Sequence, residues 1–360
     1  MILGIDGNEA NVNNRVGSNV YSYKLLEYLY KADKFNTTIY LSSPKLGDLP
    51  KKNSNWNYKV LKPGFLWTQW RLPLELYFNS VKPDVFFTPG HYSPRFCPCP
   101  SVISIMDLAY LRYPDQFKKK DLWQLTNWTK YSVDNAALIF TISEFTKKEI
   151  IHFYNYPKDQ ITVTYPGVEN LPNFHKANKY GDYFLYIGTL QPRKNLIRLI
   201  EAFKSINAKL VVVGKKGWLY ENIFNKVKSL GCEKNVIFTG FISESEKTAL
   251  IVNAKALILA SLYEGFGIPV VEAMRLKCPV IVSQNSSLEE VVAKNGIYIE
   301  DPLQVDSIVA SIRQMLQLSK EKKALMVNNA YKESLRFNWQ ECAKKTQEAL
   351  WLLKTKPAKT

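Results

Sequence analysis

The chain has 360 residues, of which 46% are hydrophobic and 22% are charged, and its formal net charge is +16. Its length suits two domains of about 150–200 residues, and its composition excludes an intrinsically disordered protein. No apolar run is long enough to predict a membrane-spanning helix, and the N-terminus lacks a signal-peptide pattern, so we expect a cytoplasmic protein. The positive charge favours anionic partners, although it also fits a lysine-rich surface that confers only solubility.

Short apolar runs alternate with amphipathic segments in the first half of the chain, which predicts βα units on a parallel sheet. The predicted strands are Ile2–Asp6, Thr38–Leu41, Val85–Phe87, Val102–Ile105 and Leu138–Thr141. The predicted helices are Val20–Lys31, Trp67–Asn79, Asp121–Asn135 and Glu144–Phe153. A loop-like stretch with Pro and Gly follows, and we place the end of the first domain at residue 170.

The same alternation resumes and predicts a second domain over residues 171–337. Its predicted strands are Tyr183–Ile187, Ala208–Val213, Val236–Thr239, Ala256–Ala260, Val280–Ser283 and Gly296–Ile299. Its predicted helices are Leu196–Ile206, Trp218–Leu230, Glu244–Asn253, Ile268–Leu276 and Val305–Leu318. The predicted fold class is α/β, with two doubly wound sheets in tandem and a ligand site at the strand C-termini, in the cleft between the domains.

Two acids and two glycines follow the predicted strand Ala256–Ala260. Gly265 and Gly267 let the backbone approach a ligand, and the amides at the start of the next helix suit a diphosphate. Glu272, about one turn inside that helix, could accept hydrogen bonds from a ribose diol, and Glu264 could bind a hydroxyl of a transferred sugar. Taken singly, these residues also fit a helix-dipole acid and a tight turn.

Two cations follow the predicted strand Tyr183–Ile187. Arg193 and Lys194 would stand at the C-terminal end of a neighbouring strand, with charge suited to a pyrophosphate. Either cation alone also fits a solvated basic turn. Together with the acids they predict a site for a nucleoside-diphosphate ligand.

These segments resemble the family 4 glycosyltransferases. Glu264 and Glu272 match the family's E-x7-E pattern, the stretch from Gly188 to Asn195 is similar to its G-T-L-x-P-R-K-N signature, and residues 211–218 match another block. The resemblance covers nearly the whole chain and is strongest to bacterial mannosyl- and rhamnosyltransferases of surface-polysaccharide assembly. It implies the GT-B fold, in which two Rossmann-like domains face each other across a cleft, and a last helix at about 338–354 that packs back on the first domain.

The resemblance also assigns roles to individual residues. It implies that Glu272 binds the ribose, that Glu264 contacts the donor sugar, and that Arg193 and Lys194 bind the diphosphate. The further donor-binding positions that it implies are Gly17, Gly188, Gly214, Gly265, Phe266 and Gly267. Asp107 could bind an acceptor or sugar hydroxyl, but Met106 stands where relatives have a histidine that contacts the transferred sugar.

The expected reaction is retaining transfer of a hexose, with a mannose-like sugar favoured, from a nucleotide-sugar to a glycan or lipid-linked acceptor. No Asp-x-Asp motif and no regular histidine spacing occur, so no cofactor and no metal are expected. Met106 motivates an alternative, a non-catalytic partner subunit that binds nucleotide-sugar or glycan. A nicotinamide enzyme is disfavoured because no G-x-G-x-x-G loop occurs, and a nucleic-acid partner because the basic residues form no stripe on one element.

Tryptophans and lysines in the first half suit a surface that contacts an anionic membrane, at the inner face of the plasma membrane. The residues concerned are Trp67, Trp70, Lys118, Lys119, Lys120, Trp123 and Trp128. The alternative is that the tryptophans are core residues and the lysines are solvated.

Overall fold

The structure, a computed structural model, describes residues 1–169 and 179–355. It divides the chain into two compact units, one of Met1–Gly167 with Asn338–Thr360 and one of Val168–Phe337. The boundary predicted at residue 170 lies outside the described residues. Each unit is built on its own parallel sheet, so the predicted α/β class with two Rossmann-like domains is confirmed.

Seven parallel strands form the sheet of the first unit. They are β1 (Ile2–Asp6), β2 (Asn36–Leu41), β3 (Trp56–Val60), β4 (Val85–Thr88), β5 (Ser101–Ile105), β6 (Ala136–Thr141) and β7 (Ile161–Val163). Their order is β3-β2-β1-β4-β5-β6-β7. The chain direction across the sheet therefore reverses between β1 and β4, which is where a doubly wound sheet binds ligands.

The helices between these strands are α1 (Ser18–Ala32), α2 (Leu72–Phe78), α3 (Ala109–Arg112), α4 (Lys119–Asp134) and α5 (Glu144–Tyr154). The single helix predicted over Trp67–Asn79 is wrong in its first part, because residues Trp67–Arg71 form a π-helical turn before α2. Pro73 gives the physical reason: it has no N–H to donate to the carbonyl four residues earlier, so a continuous α-helical ladder cannot form.

The four tryptophans suggested for a membrane surface do not share one environment. Trp67 is 5% exposed and its indole N–H donates to the carbonyl of Leu61 at 3.2 Å, so of the two alternatives Trp67 is a core residue and not part of a membrane surface. Trp128 is half-buried, with its ring edge-on to that of Tyr92. Trp70 and Trp123 are exposed.

Six parallel strands form the sheet of the second unit. They are β8 (Tyr183–Ile187), β9 (Lys209–Val213), β10 (Val236–Gly240), β11 (Leu257–Leu259), β12 (Val280–Ser283) and β13 (Ile297–Ile299). Their order is β10-β9-β8-β11-β12-β13, so the reversal falls between β8 and β11. The helices of this unit are α6 (Leu196–Phe203), α7 (Glu221–Leu230), α8 (Glu244–Asn253), α9 (Ile268–Arg275), α10 (Ser287–Val292), α11 (Val305–Gln317) and α12 (Lys320–Ser334).

The last helix, α13 (Trp339–Thr355), belongs to the first unit. The ring of Trp339 lies 5.9 Å from that of Tyr21 on α1, and the Cys342 thiol lies against the carbonyl of Thr164. Among the described helices, none combines the length and the apolar composition needed to cross a bilayer.

Candidate functional site

The predicted cations and acids of the second unit meet where its sheet reverses direction. Arg193 and Lys194 follow β8, and Glu264 follows β11, the neighbouring strand. In a doubly wound sheet the loops after two such strands diverge to opposite sides, and a crevice opens at the carboxyl ends of the strands. The strand order alone therefore brings three of the predicted site residues to one place.

Hydrogen bonds fix the two loops to each other. The Leu262 N–H donates to the Arg193 carbonyl at 2.8 Å, and the Arg193 guanidinium donates to the Tyr263 carbonyl at 3.1 Å. The Lys194 ammonium lies 2.5 Å from Oε1 of Glu264. Cation and acid are thus held in one rigid arrangement before any ligand arrives.

Glu264 is a buried carboxylate that interacts with two cations, Lys194 and Arg193, and with the hydroxyl of Ser261. Burial would raise its pKa, but Lys194 and Arg193, with the Lys194 and Ser261 hydrogen bonds, lower the pKa below its ordinary value. The Ser261 hydroxyl donates to Oε1 at 2.7 Å, on the same oxygen that Lys194 contacts. Glu264 is therefore ionised at neutral pH, and a ligand hydroxyl could donate to Oε2.

Glu272, on the first turns of α9, has a different cation. It is 8% exposed, and its Oε1 lies 2.8 Å from the ammonium of Lys247, which also pairs with Glu244 at 2.7 Å. Burial raises the pKa of Glu272, and Lys247 opposes that rise. Burial lowers the pKa of Lys247, but the two acids raise it above its usual value.

Lys247 was missed in the sequence. It lies on α8, twenty-five residues before Glu272, and no local spacing links the two side chains. The capping box of Ser243 and Glu246 fixes where α8 begins, but the packing of α8 on its neighbours decides which residue faces Glu272.

The glycines before α9 are confined by their surroundings. Gly267 has φ +98°, and a Cβ added there would lie 2.6 Å from Leu288, so both backbone and space favour glycine. Gly265 is buried. The Phe266 side chain is 3% exposed and packs edge-on against Phe337, so a donor-binding role for Phe266 could involve only its backbone.

Gly188 and Gly214 hold the ends of β8 and β9 together. A Cβ added to Gly214 would lie 1.9 Å from the carbonyl oxygen of Gly188, and the Gly188 N–H donates to Val213 at 2.9 Å. Their close approach shapes the loop that carries Arg193.

Gly214→Ala is expected to destabilise the fold by at least about 2 kcal/mol, since backbone must move to admit the methyl group. Urea denaturation of the variant measures this loss. Gly47→Ala is the matched control, because a Cβ there meets nothing within 4 Å. Equal stability of the two variants would contradict the close contact of Gly188 with Gly214.

Gly17 and Asp107 belong to the first unit. Gly17 precedes α1 with φ +53°, and a Cβ there would meet nothing within 4 Å. Asp107 follows β5, and its Oδ1 accepts a hydrogen bond from the Ala109 N–H at 3.1 Å. Met106 is 8% exposed, so its side chain belongs to the core.

A histidine nevertheless stands beside Met106 and Asp107. His91 follows β4, and its Nε2 accepts a hydrogen bond from the Met106 N–H at 3.2 Å. Burial lowers the pKa of His91, with Asp107 opposing, so the imidazole is neutral and its Nδ1 carries the proton. Sequence spacing could not reveal this residue, since β4 and β5 bring it to Met106 only in the folded sheet.

Glu9 is a second residue of the first unit that the sequence did not reveal. It follows β1 and accepts hydrogen bonds from Ser18 and Asn19 at 3.3 and 2.7 Å. Burial raises its pKa. Glu9 and His91 therefore flank the reversal between β1 and β4, as Glu264 and Arg193 flank that between β8 and β11.

Known families and relatives match both units. Residues 17–170 match Glycosyltransferase Family 4, and residues 168–333 match Glycosyl transferases group 1. The O-antigen chain mannosyltransferase B of Escherichia coli is 30% identical over 292 residues, which cover 76% of each chain. This chain belongs to the family 4 glycosyltransferases. The predicted family and enzyme class are thereby confirmed.

Solved structures show the same fold for this glycosyltransferase. The sucrose-phosphate synthase of Thermosynechococcus elongatus superposes with a TM-score of 0.79 over 99% of both chains, at 17% identity. An Anabaena protein in complex with UDP and glucose superposes with a TM-score of 0.74, at 18% identity, over 98% of this chain and 99% of its own. These likenesses confirm the GT-B fold.

Proposed function

We propose that this glycosyltransferase moves a hexose from a nucleoside-diphosphate sugar to a glycan or lipid-linked acceptor, with retention of anomeric configuration and without a metal. The observation that carries the proposal is the array of the half-buried Lys194 and Arg193 with the buried Glu264 at the reversal of the second sheet, with Glu272 on α9. The nucleotide-sugar donor is supported by the UDP and glucose in the Anabaena relative of the same fold.

Each residue of the array suits one part of such a donor. Glu272 would accept hydrogen bonds from the ribose hydroxyls, and Oε2 of Glu264 would accept one from the sugar. Arg193 and Lys194, with the amides before α9, would neutralise the charge that grows on the leaving diphosphate. Lys194 would serve both the sugar-binding and the phosphate-binding parts of the site, because it contacts Glu264 and could also reach a phosphate oxygen.

We propose that the anomeric configuration is retained because the acceptor oxygen attacks the anomeric carbon from the same face of the sugar from which the diphosphate departs. Covalent retention needs a carboxylate nucleophile. Glu264 is a poor candidate, since its Oε1 already accepts bonds from Lys194 and Ser261. In same-face attack the acceptor oxygen bonds to the anomeric carbon as the sugar–phosphate bond breaks, and the acceptor proton passes to the departing phosphate.

Metal independence is proposed because the protein supplies cations where a divalent ion would otherwise sit. Arg193 and Lys194 are already in the array. Across the part of the chain that the structure describes, no group of three or more His, Cys, Asp or Glu side chains could hold a metal ion. The charge of the leaving group would then be balanced by side chains and amides alone.

A mannose-like sugar and surface-polysaccharide assembly are proposed from the relative in Escherichia coli, which is named an O-antigen chain mannosyltransferase. In the first unit, Asp107 would bind a hydroxyl of the acceptor or the sugar, and His91 would support that segment through its hydrogen bond with the Met106 N–H. A lipid-linked acceptor would place the reaction at the inner face of the plasma membrane.

A thermal-shift screen against uridine, guanosine and thymidine diphosphates, in EDTA, tests the donor and the absence of a metal together. One of these diphosphates at a hundred times its dissociation constant is expected to add about 2.7 kcal/mol of stability. The corresponding nucleoside is the control and should stabilise less, since it leaves Arg193 and Lys194 unpaired with phosphate. No shift with any diphosphate in EDTA, and a shift restored by magnesium or manganese, would overturn metal independence; no shift under either condition would overturn the donor.

A further inference from the structure

Helix α2 of the first unit is apolar on two faces. Leu72 and Leu76 are fully buried in a cluster with Trp67 and Phe86. The opposite face carries Leu74, Tyr77 and Phe78, and the Phe78 side chain is 83% exposed. A helix with one buried and one solvated face is ordinarily polar on the second, so this exposed apolar face indicates a binding surface.

The exposed face continues beyond the helix into a groove. Phe96, in the loop after β4, is 73% exposed and lines the groove together with Phe78. The groove has a volume of about 320 Å³, and its lining is Gln69, Trp70, Pro73, Leu74, Tyr77, Phe78 and Phe96. We call these residues the aromatic groove.

A second groove, of about 440 Å³, adjoins the first and shares Leu74 and Phe78 with it. It is polar, and Lys59, Arg71 and Glu75 line it. Lys59 pairs with Glu75, and Arg71 lies 3.6 Å from the same carboxylate, so two cations share one anion. This polar groove therefore keeps a net positive charge.

Positive charge surrounds the aromatic groove on its other side as well. Arg95 precedes Phe96, donates to the Gln69 side chain at 2.8 Å, and stacks on the ring of Tyr131. Residues 51–82 hold six lysines and arginines against a single acid, Glu75. Large apolar side chains thus lie within a cationic rim.

We propose that the aromatic groove and its cationic rim dock on an anionic phospholipid bilayer. Phe78, Phe96 and Leu74 would enter the boundary between headgroups and acyl chains, while Lys59, Arg71 and Arg95 contact lipid phosphates. Trp70 and Tyr77 have the amphipathic rings that suit this interface. A second copy of the chain is disfavoured as the occupant, because two such rims would bring like charges together.

This docking surface rests on the proposed function, in which a lipid-linked acceptor places the reaction at a membrane, and it adds the residues that would contact the bilayer. It shares Trp70 with the surface suggested from the sequence, but it lacks the other part of that surface, in which Trp123 on α4 follows Lys118–Lys120. Vesicle binding is measured without donor and without turnover. The experiment can therefore disprove the docking surface without disproving the proposed reaction, and the reverse also holds.

Sedimentation of the full chain with vesicles of phosphatidylglycerol and phosphatidylcholine tests the surface. Phe78→Ser and Phe96→Ser are each expected to weaken vesicle binding by about tenfold, because each change removes one large apolar side chain from the lipid interface. Arg95→Gln is expected to weaken it by about fivefold. Vesicles of phosphatidylcholine alone should bind the protein less, and added salt should release it.

Trp123→Ser is the matched control, since Trp123 is 62% exposed on α4. It should bind vesicles as the unaltered protein does, and circular dichroism should show all four variants folded. Binding lost with Trp123→Ser but kept with Phe78→Ser and Phe96→Ser would assign docking to α4 and overturn the proposal. Equal binding to both kinds of vesicle, or self-association that these variants abolish without any vesicle binding, would overturn it too.

Discussion

Glu264→Gln is expected to lower kcat for sugar transfer by about 10²–10³-fold, the usual cost of removing one preorganised electrostatic group from an active site. The change keeps the shape of the side chain and an acceptor for Ser261, but it removes the charge that Lys194 contacts and that the donor sugar would contact in the proposed complex. Transfer of labelled sugar, or slow hydrolysis of the donor in the absence of acceptor, measures the loss.

The stability of the variant must be separated from its activity. Glu264→Gln leaves the Lys194 ammonium, whose side chain is 12% exposed, without its countercharge. Removing one partner of a buried ion pair costs about 3–5 kcal/mol, and we expect a loss of up to that size. The double variant Lys194→Met with Glu264→Gln removes both charges, and we expect it to recover most of this stability but none of the activity. Recovery of activity with stability would show that Glu264 only supports the fold.

A surface pair provides the matched control for this cycle. Glu201 on α6 lies 2.6 Å from Lys226 on α7, and both side chains are about 30% exposed. Glu201→Gln should change the free energy of unfolding by less than about 1 kcal/mol and leave transfer unchanged. A large loss of transfer in this variant would mean that charge anywhere on the second unit, rather than at Glu264, sets the rate.

The fold could be predicted from sequence wherever strands are buried on both sides. Tyr183–Ile187 is a continuous apolar run, Ile2–Asp6 and Val280–Ser283 each have one polar residue at the end, and the predicted bounds of all three agree with the structure. The strands that were missed, Trp56–Val60 and Ile161–Val163, lie at the edges of the first sheet. Edge strands are partly exposed and mix polar with apolar residues, so no apolar run marks them.

Some residues of the candidate site could be predicted from local sequence, and others are brought there only by tertiary packing. Arg193, Lys194 and Glu264 could be placed together because parallel strands end at one edge of a sheet, and the structure has Lys194 in contact with Glu264. Lys247 and His91 could not be placed, since helix packing and strand neighbours decide their contacts. The burial of Phe266 against Phe337 also depends on a distant segment of the chain.

Glu272→Gln is expected to weaken binding of the nucleoside diphosphate by about 10- to 100-fold, because the proposed complex would lose a buried charged acceptor for the ribose hydroxyls. The carboxylate form is the one that accepts these bonds. Burial raises the pKa of Glu272, so the side chain takes up a proton at a higher pH than an ordinary glutamate does. Affinity should therefore decline as the pH falls through that raised pKa, by up to about tenfold for each pH unit below it.

Calorimetric titrations of the nucleoside diphosphate across this pH range compare three proteins. Lys247→Met removes the cation that holds the pKa of Glu272 down, so the decline in affinity should begin at a higher pH than in the unaltered protein. Glu272→Gln has no proton to gain, and its remaining pH dependence gives the contribution of the ligand phosphate alone. If the unaltered protein and Glu272→Gln follow parallel curves, protonation of Glu272 does not govern binding. If Lys247→Met leaves the curve in place, Lys247 does not set the charge of Glu272.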